Sequence, residues 1–325
     1  MKILSSADWH VNMHKKKIPY DWQENRYLLL FKKLRDLEQT CDVHVIAGDL
    51  FDTKPQTDDT SLLLSYLNTV EIPTIVVPGN HEATKKGKTF WSDFKRENTI
   101  TNKLVHILVD NDRVEINNQG FQAFPYGNVQ TDNLPTYVEN DILVTHIRGE
   151  VPPHVTAEYD FDRLRPWKLV LLGDLHFNHK YKDYSIYYPG SPINTTFDRS
   201  ENNKYGVDII HFNSIDDYSV KFVDLKLPKL LRKKIKSAEQ MIASDYDHVV
   251  YEVHGSMDEL AKVDKTALLD KKVVEKATVG STLDLANKNI YEELELYLQH
   301  VKVANTDFVV NVFKELDIKT IKEAT

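Results

Sequence analysis

Ile72-Pro73-Thr74-Ile75-Val76-Val77-Pro78-Gly79-Asn80-His81-Glu82 reads as a buried strand with chemistry at its end. The β-branched run Thr74 to Val77 suits a strand covered on both faces, and Pro78-Gly79 stops it abruptly. Asn80, His81 and Glu82 therefore fall just past the strand's carboxyl end, where open α/β sheets bind ligands. Asn offers a neutral carbonyl oxygen, and His a nitrogen that coordinates a metal or carries a proton.

Working outward, two earlier segments repeat the pattern. Residues 2–6 read as a strand running into Ala7-Asp8-Trp9-His10, and an extended continuation would project Asp8 and His10 to the same side. Residues 24–40 carry Tyr27, Leu30, Phe31, Leu34 and Leu37 at helical spacing. A strand over 43–47 follows and ends in Gly48-Asp49-Leu50-Phe51-Asp52, and residues 57–69 read as a helix. The β-α-β-α-β order predicts right-handed crossovers and parallel strands, which line up all three strand ends on one edge.

From residue 104 the pattern shifts to short alternating runs (105–109, 114–116, 121–124) separated by Asn-rich turns, read as antiparallel hairpins opening a second sheet. Strands over 142–145 and 169–172 deliver His146 and Gly173-Asp174-Leu175-His176. Further strands are expected at 186–188, before Pro189-Gly190-Ser191-Pro192, at 207–212 and at 218–225. Residues 1–228 thus read as a two-sheet α/β sandwich. Pro228 and the basic run 229–236 read as a linker into a small α+β module with a strand at 249–253 and a helix at 257–263. The domain division is 1–228, 229–284 and 285–325, the last holding amphipathic helices at 291–301 and 308–316 with the stripes Tyr291, Leu294, Leu298 and Val309, Val312, Phe313, Leu316.

Composition sets bounds. In 325 residues, 41% hydrophobic and 28% charged, there is material for a large domain and a smaller one. The one cysteine, Cys41, cannot form an internal disulfide, so a reducing cytoplasm is the expected home. No run approaches the ~18 apolar residues of a membrane span, and the amino terminus has no apolar signal region. A net charge of −8 argues against nucleic acid as a partner, but bound cations offset it and local clusters matter more to a phosphate backbone than the total. Such clusters occur at Lys15-Lys16-Lys17, at Lys85-Lys86 with Lys88, and at Arg232-Lys233-Lys234 with Lys236.

The strand-end candidates are Asp8, His10, Asp49, Asn80, His81, His146, Asp174 and His176. A mixed oxygen and nitrogen set without thiolate suits manganese, iron or zinc, and its carboxylates favour manganese. There are too many ligands for one open site. They suit two ions sharing a carboxylate, with Asp49, central in the order, as the bridge.

Asp8-Trp9-His10, Gly48-Asp49, Gly79-Asn80-His81-Glu82, His146 and Gly173-Asp174-Leu175-His176 together resemble the signature of calcineurin-like metallophosphoesterases. Gly48-Asp49-Leu50-Phe51-Asp52, Pro78-Gly79-Asn80-His81 and Tyr188-Pro189-Gly190-Ser191-Pro192 more closely resemble the SbcD nucleases, the bacterial and phage counterpart of the catalytic subunit of double-strand-break repair complexes. The resemblance covers residues 1 to about 225. It implies that Asp8, His10, Asp49 and His176 hold one ion, and that Asp49, Asn80, His146 and Asp174 hold the other. His81 would protonate the leaving oxygen or contact the scissile phosphate, with the acid at Asp52 orienting it. SbcD relatives usually carry His where Asp174 stands, so harder ligands, and manganese or magnesium over zinc, are expected there.

The resemblance further implies a metal-dependent DNA exonuclease and endonuclease working with an SbcC-like coiled-coil ATPase, as a homodimer within a heterotetramer, in the cytoplasm (the host's, for a phage-encoded chain). Residues 237–284 would act as a capping module after the 229–236 linker, 285–325 would grip the ATPase, and residues 57–91 would mediate dimerisation. The absence of a G-x-x-x-x-G-K loop assigns any ATP dependence to the partner. Lys15, Lys16, Lys17, Lys85, Lys86 and Lys88 follow two of the ligand motifs, and with Arg199 they are the candidate DNA contacts. Two other readings stay open: a phosphoesterase of the same fold acting on nucleotides or phosphoproteins, and a DNA-end-binding subunit without activity.

Overall fold

Alternate residues of the first three strands face two different apolar layers, and this explains why each strand is buried on both faces. In β1 (Lys2–Ser6) Ile3 joins one core and Leu4 the other. The computed structural model describes residues 1–84, 88–97, 99–150, 156–237, 240–242, 244–253, 269–273 and 288–323. After β1 the chain runs through α1 (Tyr20–Glu38), β2 (Val43–Ala47), α2 (Thr57–Leu67), β3 (Thr74–Val77), α3 (Trp91–Glu97) and β4 (Val105–Ile107). A second group is β5 (Arg113–Ile116), β6 (Gln119–Phe124), α4 (Tyr126–Gln130), β7 (Ile142–His146), β8 (Val170–Gly173), β9 (His179–Tyr181) and β10 (Ile186–Tyr188). Then come β11 (Gly206–Ser214), β12 (Asp217–Asp224), β13 (Leu230–Ile235), β14 (His248–Val253), β15 (Leu269–Val273), α5 (Ile290–His300) and α6 (Thr306–Glu323).

The sheet orders are β12-β11-β1-β2-β3-β4 and β5-β6-β7-β8-β10-β9. Ile3, Val43, Val45, Ile75 and Val77 of the first sheet pack with Phe121, Ala123, Ile142, Val144 and Leu171 of the second, so the expected two-sheet sandwich is present. Leu4, Ile46 and Val76 face the other way, onto Leu30 and Leu34 of α1 and Leu63 and Leu67 of α2. β1, β2 and β3 are parallel, with Ser6 opposite Ile46 and Ala47 opposite Val77, and in the second sheet His146 lies opposite Gly173. Both sheets therefore deliver their carboxyl ends to matched heights.

Three readings of the sequence change. Helix α1 starts at Tyr20 rather than at residue 24. β4 does not open the second sheet. The β3–α3–β4 unit is one more parallel crossover, with Val76 opposite Ile107, and alternation within a three-residue strand carries no information about its partner. The basic run after Pro228 is a strand, not a linker: Leu230 and Leu231 are buried, Arg232 faces Glu252, Lys233 pairs with Glu201, and β13 lies parallel to β14 in a three-stranded sheet. Carboxylates partner Arg232 and Lys233 of the run, while Lys234 and Lys236 stay exposed. Buried Arg26 of α1 fastens this strand, donating to Pro228 O at 2.8 Å and Asn194 O at 2.7 Å.

The described residues form two compact units, one built on residues 1–253 with most of β15, the other on α5 and α6. Asn289 caps α5 by accepting from Tyr291 N and Glu292 N, while Glu292 reaches back to Asn289 N at 2.8 Å. Leu298 and Val310 are buried in this unit, while Val309, Val312 and Phe313 of the expected stripe are exposed. The helix read at 257–263 lies outside the described residues. Among those described, no helix is long and apolar enough to cross a membrane.

Candidate metal centre

Backbone strain marks the site before any side chain is considered. Asp8 (φ 56°), His10 (φ 48°), Asp49 (φ 52°) and Asp174 (φ 98°) all occupy the sparsely populated positive-φ region. The extended continuation expected after Ser6 is thus replaced by two left-handed residues, and Asp8 and His10 converge through that kink. Hydrogen bonds hold the strained turns: Asp8 N donates to Gly48 O and His10 N to Asp49 O, both at 3.0 Å, and the Tyr27 hydroxyl donates to His10 O at 2.6 Å. Below them Trp9 Nε1 donates to Ser6 Oγ, which meets His44 Nε2 at 2.8 Å, and His44 Nδ1 meets buried Glu38 at 2.8 Å.

Glycines permit the strands to meet this closely. A Cβ on Gly79 would lie 2.2 Å from Asp49 Oδ1, and one on Gly173 would lie 2.0 Å from Ala47 O. Glu82 then ties the second loop to the third. Fully buried, it accepts backbone N–H groups from Asp49 (3.0 Å), Phe51 (3.0 Å) and Gly79 (2.7 Å). Burial, reinforced by Asp49, pushes its carboxyl up to about 7. The motif naming Asn80 and His81 contained Glu82 without giving it a task. Its signal was a carboxylate following the ligand pair at a strand end. Glu82→Ala strands three buried donors and is expected to cost about 3 kcal/mol or more of stability. Urea unfolding measures this, and an unchanged midpoint would mean that water replaces the carboxylate at no cost.

Around Asp49 the side chains gather as two sets. His10 Nε2, His146 Nε2 and His81 Nε2 lie 3.7, 3.4 and 3.8 Å from Asp49 Oδ2. In the first set, His10 Nε2 and His176 Nε2 face each other at 3.0 Å and Asp8 Oδ1 lies 3.9 Å from His10 Nε2. In the second, His146 Nε2 lies 3.8 Å from Asp174 Oδ1, which accepts from Asn80 Nδ2 at 3.0 Å. Asp8, His10, His176 and Asp8, Asp49, His146 each form a trio able to hold a cation, as do His10, Asp49 and His81.

The hydrogen bonds also decide which atoms are left for a cation. Asn80 spends its amide N–H on Asp174, leaving buried Oδ1 without a partner. His146 Nδ1 lies 2.8 Å from Ala47 O, a carbonyl that can only accept, so Nδ1 carries the proton and Nε2 points at Asp49 with no hydrogen-bond partner. Orphaned donors of this kind on a buried carboxylate fit a divalent pair. Charge says the same: burial pushes the Asp8 carboxyl well up, and burial with His10 pushes the His176 imidazole down to about 4. Burial opposes ionisation of Asp49, but His146, His10 and His81 outweigh it and hold the carboxyl at about 2. A proton on His146 Nε2 and a cation there are alternatives.

His81 differs in being 38% exposed. Its Nδ1 meets the backbone carbonyl of Asp52, not the carboxylate expected to orient it. The Asp52 carboxylate instead faces His10 Nδ1 (3.4 Å), Asn12 Nδ2 (3.0 Å) and Lys15 Nζ (3.4 Å). A carbonyl acceptor fixes the same tautomer, with the proton on Nδ1 and Nε2 on the Asp49 side of the ring.

The Pro-Gly-Ser-Pro turn locks two of these loops together. Ser191 Oγ donates to Asp8 O at 2.7 Å and Ser191 N to His176 O at 3.1 Å. Of the candidate DNA contacts, Lys15 adjoins the cluster through Asp52, while Lys16, Lys17, Lys88 and Arg199 are exposed. Lys85 and Lys86 lie outside the described residues. His179 is not drawn into the cluster; it stacks edge-on with Tyr181 at 4.5 Å.

The calcineurin-like phosphoesterase profile matches residues 1–212. The "Probable exonuclease subunit 1" of Escherichia phage T5 is 32% identical over 310 residues, covering 93% of each chain. Among solved structures, the TT1561 protein of Thermus thermophilus aligns at TM-score 0.41 and 13% identity over 69% of this chain and 99% of its own. The E. coli phosphoesterase YfcE aligns at TM-score 0.31 and 17% identity over 70% and 100%.

Proposed function

Because this chain belongs to the calcineurin-like phosphoesterase family, we propose that it is the nuclease subunit of an SbcCD-like, ATP-dependent DNA repair and recombination complex, acting as exonuclease and endonuclease. The observation carrying this reading is buried Asp49 shared between two donor sets, with partly exposed His81 beside it. The name of the T5 relative supports the substrate. Asp8, His10, Asp49 and His176 hold one cation, and Asp49, Asn80, His146 and Asp174 the other, manganese by preference and magnesium as substitute. A bound divalent pair supplies Lewis acidity at the phosphate and a water acidic enough to attack at neutral pH.

The remaining steps belong to the chain itself. His81 Nε2 delivers the proton to the departing 3′ oxygen, leaving 5′-phosphate and 3′-hydroxyl ends. The Asp52 carbonyl fixes its tautomer, while the Asp52 carboxylate orients His10. Residues 1–228 form the nuclease domain, 229–284 a capping module that begins with β13, and 285–325 the contact for a coiled-coil ATPase. Exposed Val309, Val312 and Phe313 support that last assignment. A homodimer within a heterotetramer completes the assembly. Manganese-dependent digestion of linear DNA by the full chain, with and without the ATPase, tests the reading. Phosphate release from nucleotides or phosphoproteins with DNA left intact would replace it with the broader phosphoesterase activity.

Lys15, Lys16 and Lys17 follow the first ligand motif, and Lys15 already reaches Asp52 at 3.4 Å. Replacing all three with Ala is expected to weaken DNA binding and to flatten the slope of log affinity against log salt by about 0.7 to 0.9 for each phosphate that is no longer neutralised. Titrations at several salt concentrations read this directly, and a slope equal to that of the wild type would remove these lysines from the interface.

A further inference from the structure

A cleft of about 430 Å³ adjoins the cluster at His176 and has no part in the chemistry assigned above. Its walls include Phe177, Thr195, Thr196, Lys204 and Tyr205. It shares a wall with the metal centre, since Thr195 Oγ1 lies 3.2 Å from His176 Nδ1. Phe177 is 48% exposed, immediately after a candidate ligand.

That aromatic is held by the backbone on both sides. The preceding His176 carbonyl accepts from Ser191 N at 3.1 Å. The following Asn178 donates from Nδ2 to Tyr188 O and to Asp208 Oδ1, each at 3.0 Å. Gly190, at φ +78°, packs so tightly beneath that a Cβ there would sit 2.8 Å from the Phe177 carbonyl carbon. The His179 ring stands edge-on to Phe177 at 5.8 Å. The Pro-Gly-Ser-Pro turn thus fixes the backbone of Phe177 as well as the loops of Asp8 and His176, and a backbone fixed before binding reduces the freedom lost when something stacks on the ring.

We propose that this cleft is a subsite for one unpaired nucleotide of a DNA strand, its base stacked on Phe177 and its outer phosphate met by Lys204, while the adjoining phosphate lies at the metal centre. The proposal rests on the nuclease reading and sharpens it. A cleft of about 430 Å³ sits at the small end of ligand pockets, a size that suits one nucleotide. Aromatic faces bind every base with little sequence preference. The enzyme accordingly takes its strand one unstacked nucleotide at a time, so frayed and single-stranded ends are its better substrates.

The test pairs enzyme and substrate variants. Wild type, Phe177→Ala and Phe177→Trp are assayed as full chains with manganese on a single-stranded oligonucleotide and on the same strand with an abasic site next to the scissile phosphate. Phe177→Ala is expected to lower kcat/KM on the ordinary strand about tenfold or more, chiefly through KM, and Phe177→Trp to restore it. On the abasic strand wild type and Phe177→Ala become equal. The same pattern is expected in anisotropy titrations in EDTA, where cleavage plays no part. Equal losses on both strands mean a disturbed His176 loop and overturn the subsite, as does no loss on either or base-independent binding. If the wild type digests neither strand, the nuclease reading itself fails and this proposal falls with it.

Discussion

Asp49→Asn is expected to lower phosphodiester hydrolysis roughly ten-thousand-fold, about 5 kcal/mol of transition-state stabilisation, and to abolish the thermal stabilisation that manganese gives the wild type. Asp49 Oδ2 reaches into both donor sets, within 3.4 to 3.8 Å of His146, His10 and His81. Asn is the informative replacement because its oxygen can still accept from His81 N, which Asp49 Oδ1 does at 2.9 Å, so the Pro78–Glu82 loop keeps its anchor. In the wild type, cations at about 100 times their dissociation constant add about 2.7 kcal/mol to stability, or roughly 5 to 10 °C in melting temperature for a domain of this size. The measurement is paired melting curves in manganese and in EDTA. An Asp49→Asn protein that still gained the full manganese shift would show that the cations do not share this carboxylate.

How much of this could be read from the sequence depends on range. The strands ending at Ser6, Ala47 and Val77 were legible because a parallel strand buried on both faces is hydrophobic throughout and its end is polar. Order then placed Asp8, Asp49 and Asn80 on one edge without any coordinate. The bends that finish the convergence were not legible: positive φ at Asp8, His10, Asp49 and Asp174 is imposed by Gly48, Gly79, Gly173 and by cross-loop hydrogen bonds. The same limit hid Glu82, whose three partners lie on two loops. It also gave the wrong part of Asp52 to His81, since a carboxylate a few residues past a strand end invites a role that the backbone carbonyl fills. At 229–236 the error was one of composition. Charge reads as solvent exposure until Glu201 and Glu252, distant in sequence, are seen opposite it.

Removing the His81 imidazole separates acid catalysis from metal binding. His81 meets the Asp52 carbonyl through Nδ1 and packs edge-on against the His10 ring at 4.7 Å, which leaves Nε2, beside Asp49, as the nitrogen free for a substrate. His81→Ala is expected to lower kcat on DNA by about 10² to 10⁴ while the manganese-dependent melting shift stays near that of the wild type. The loss should shrink with the leaving group: a p-nitrophenyl phosphodiester departs without protonation, so hydrolysis of that compound should survive where cleavage of DNA, with its basic 3′ oxygen, does not. Asp52→Asn should divide differently. Its side chain faces His10 and Lys15, so manganese affinity should fall by about 10- to 100-fold with little dependence on the leaving group. Equal losses on both substrates for His81→Ala would assign the imidazole to phosphate binding, and undiminished DNA turnover would exclude it from the reaction.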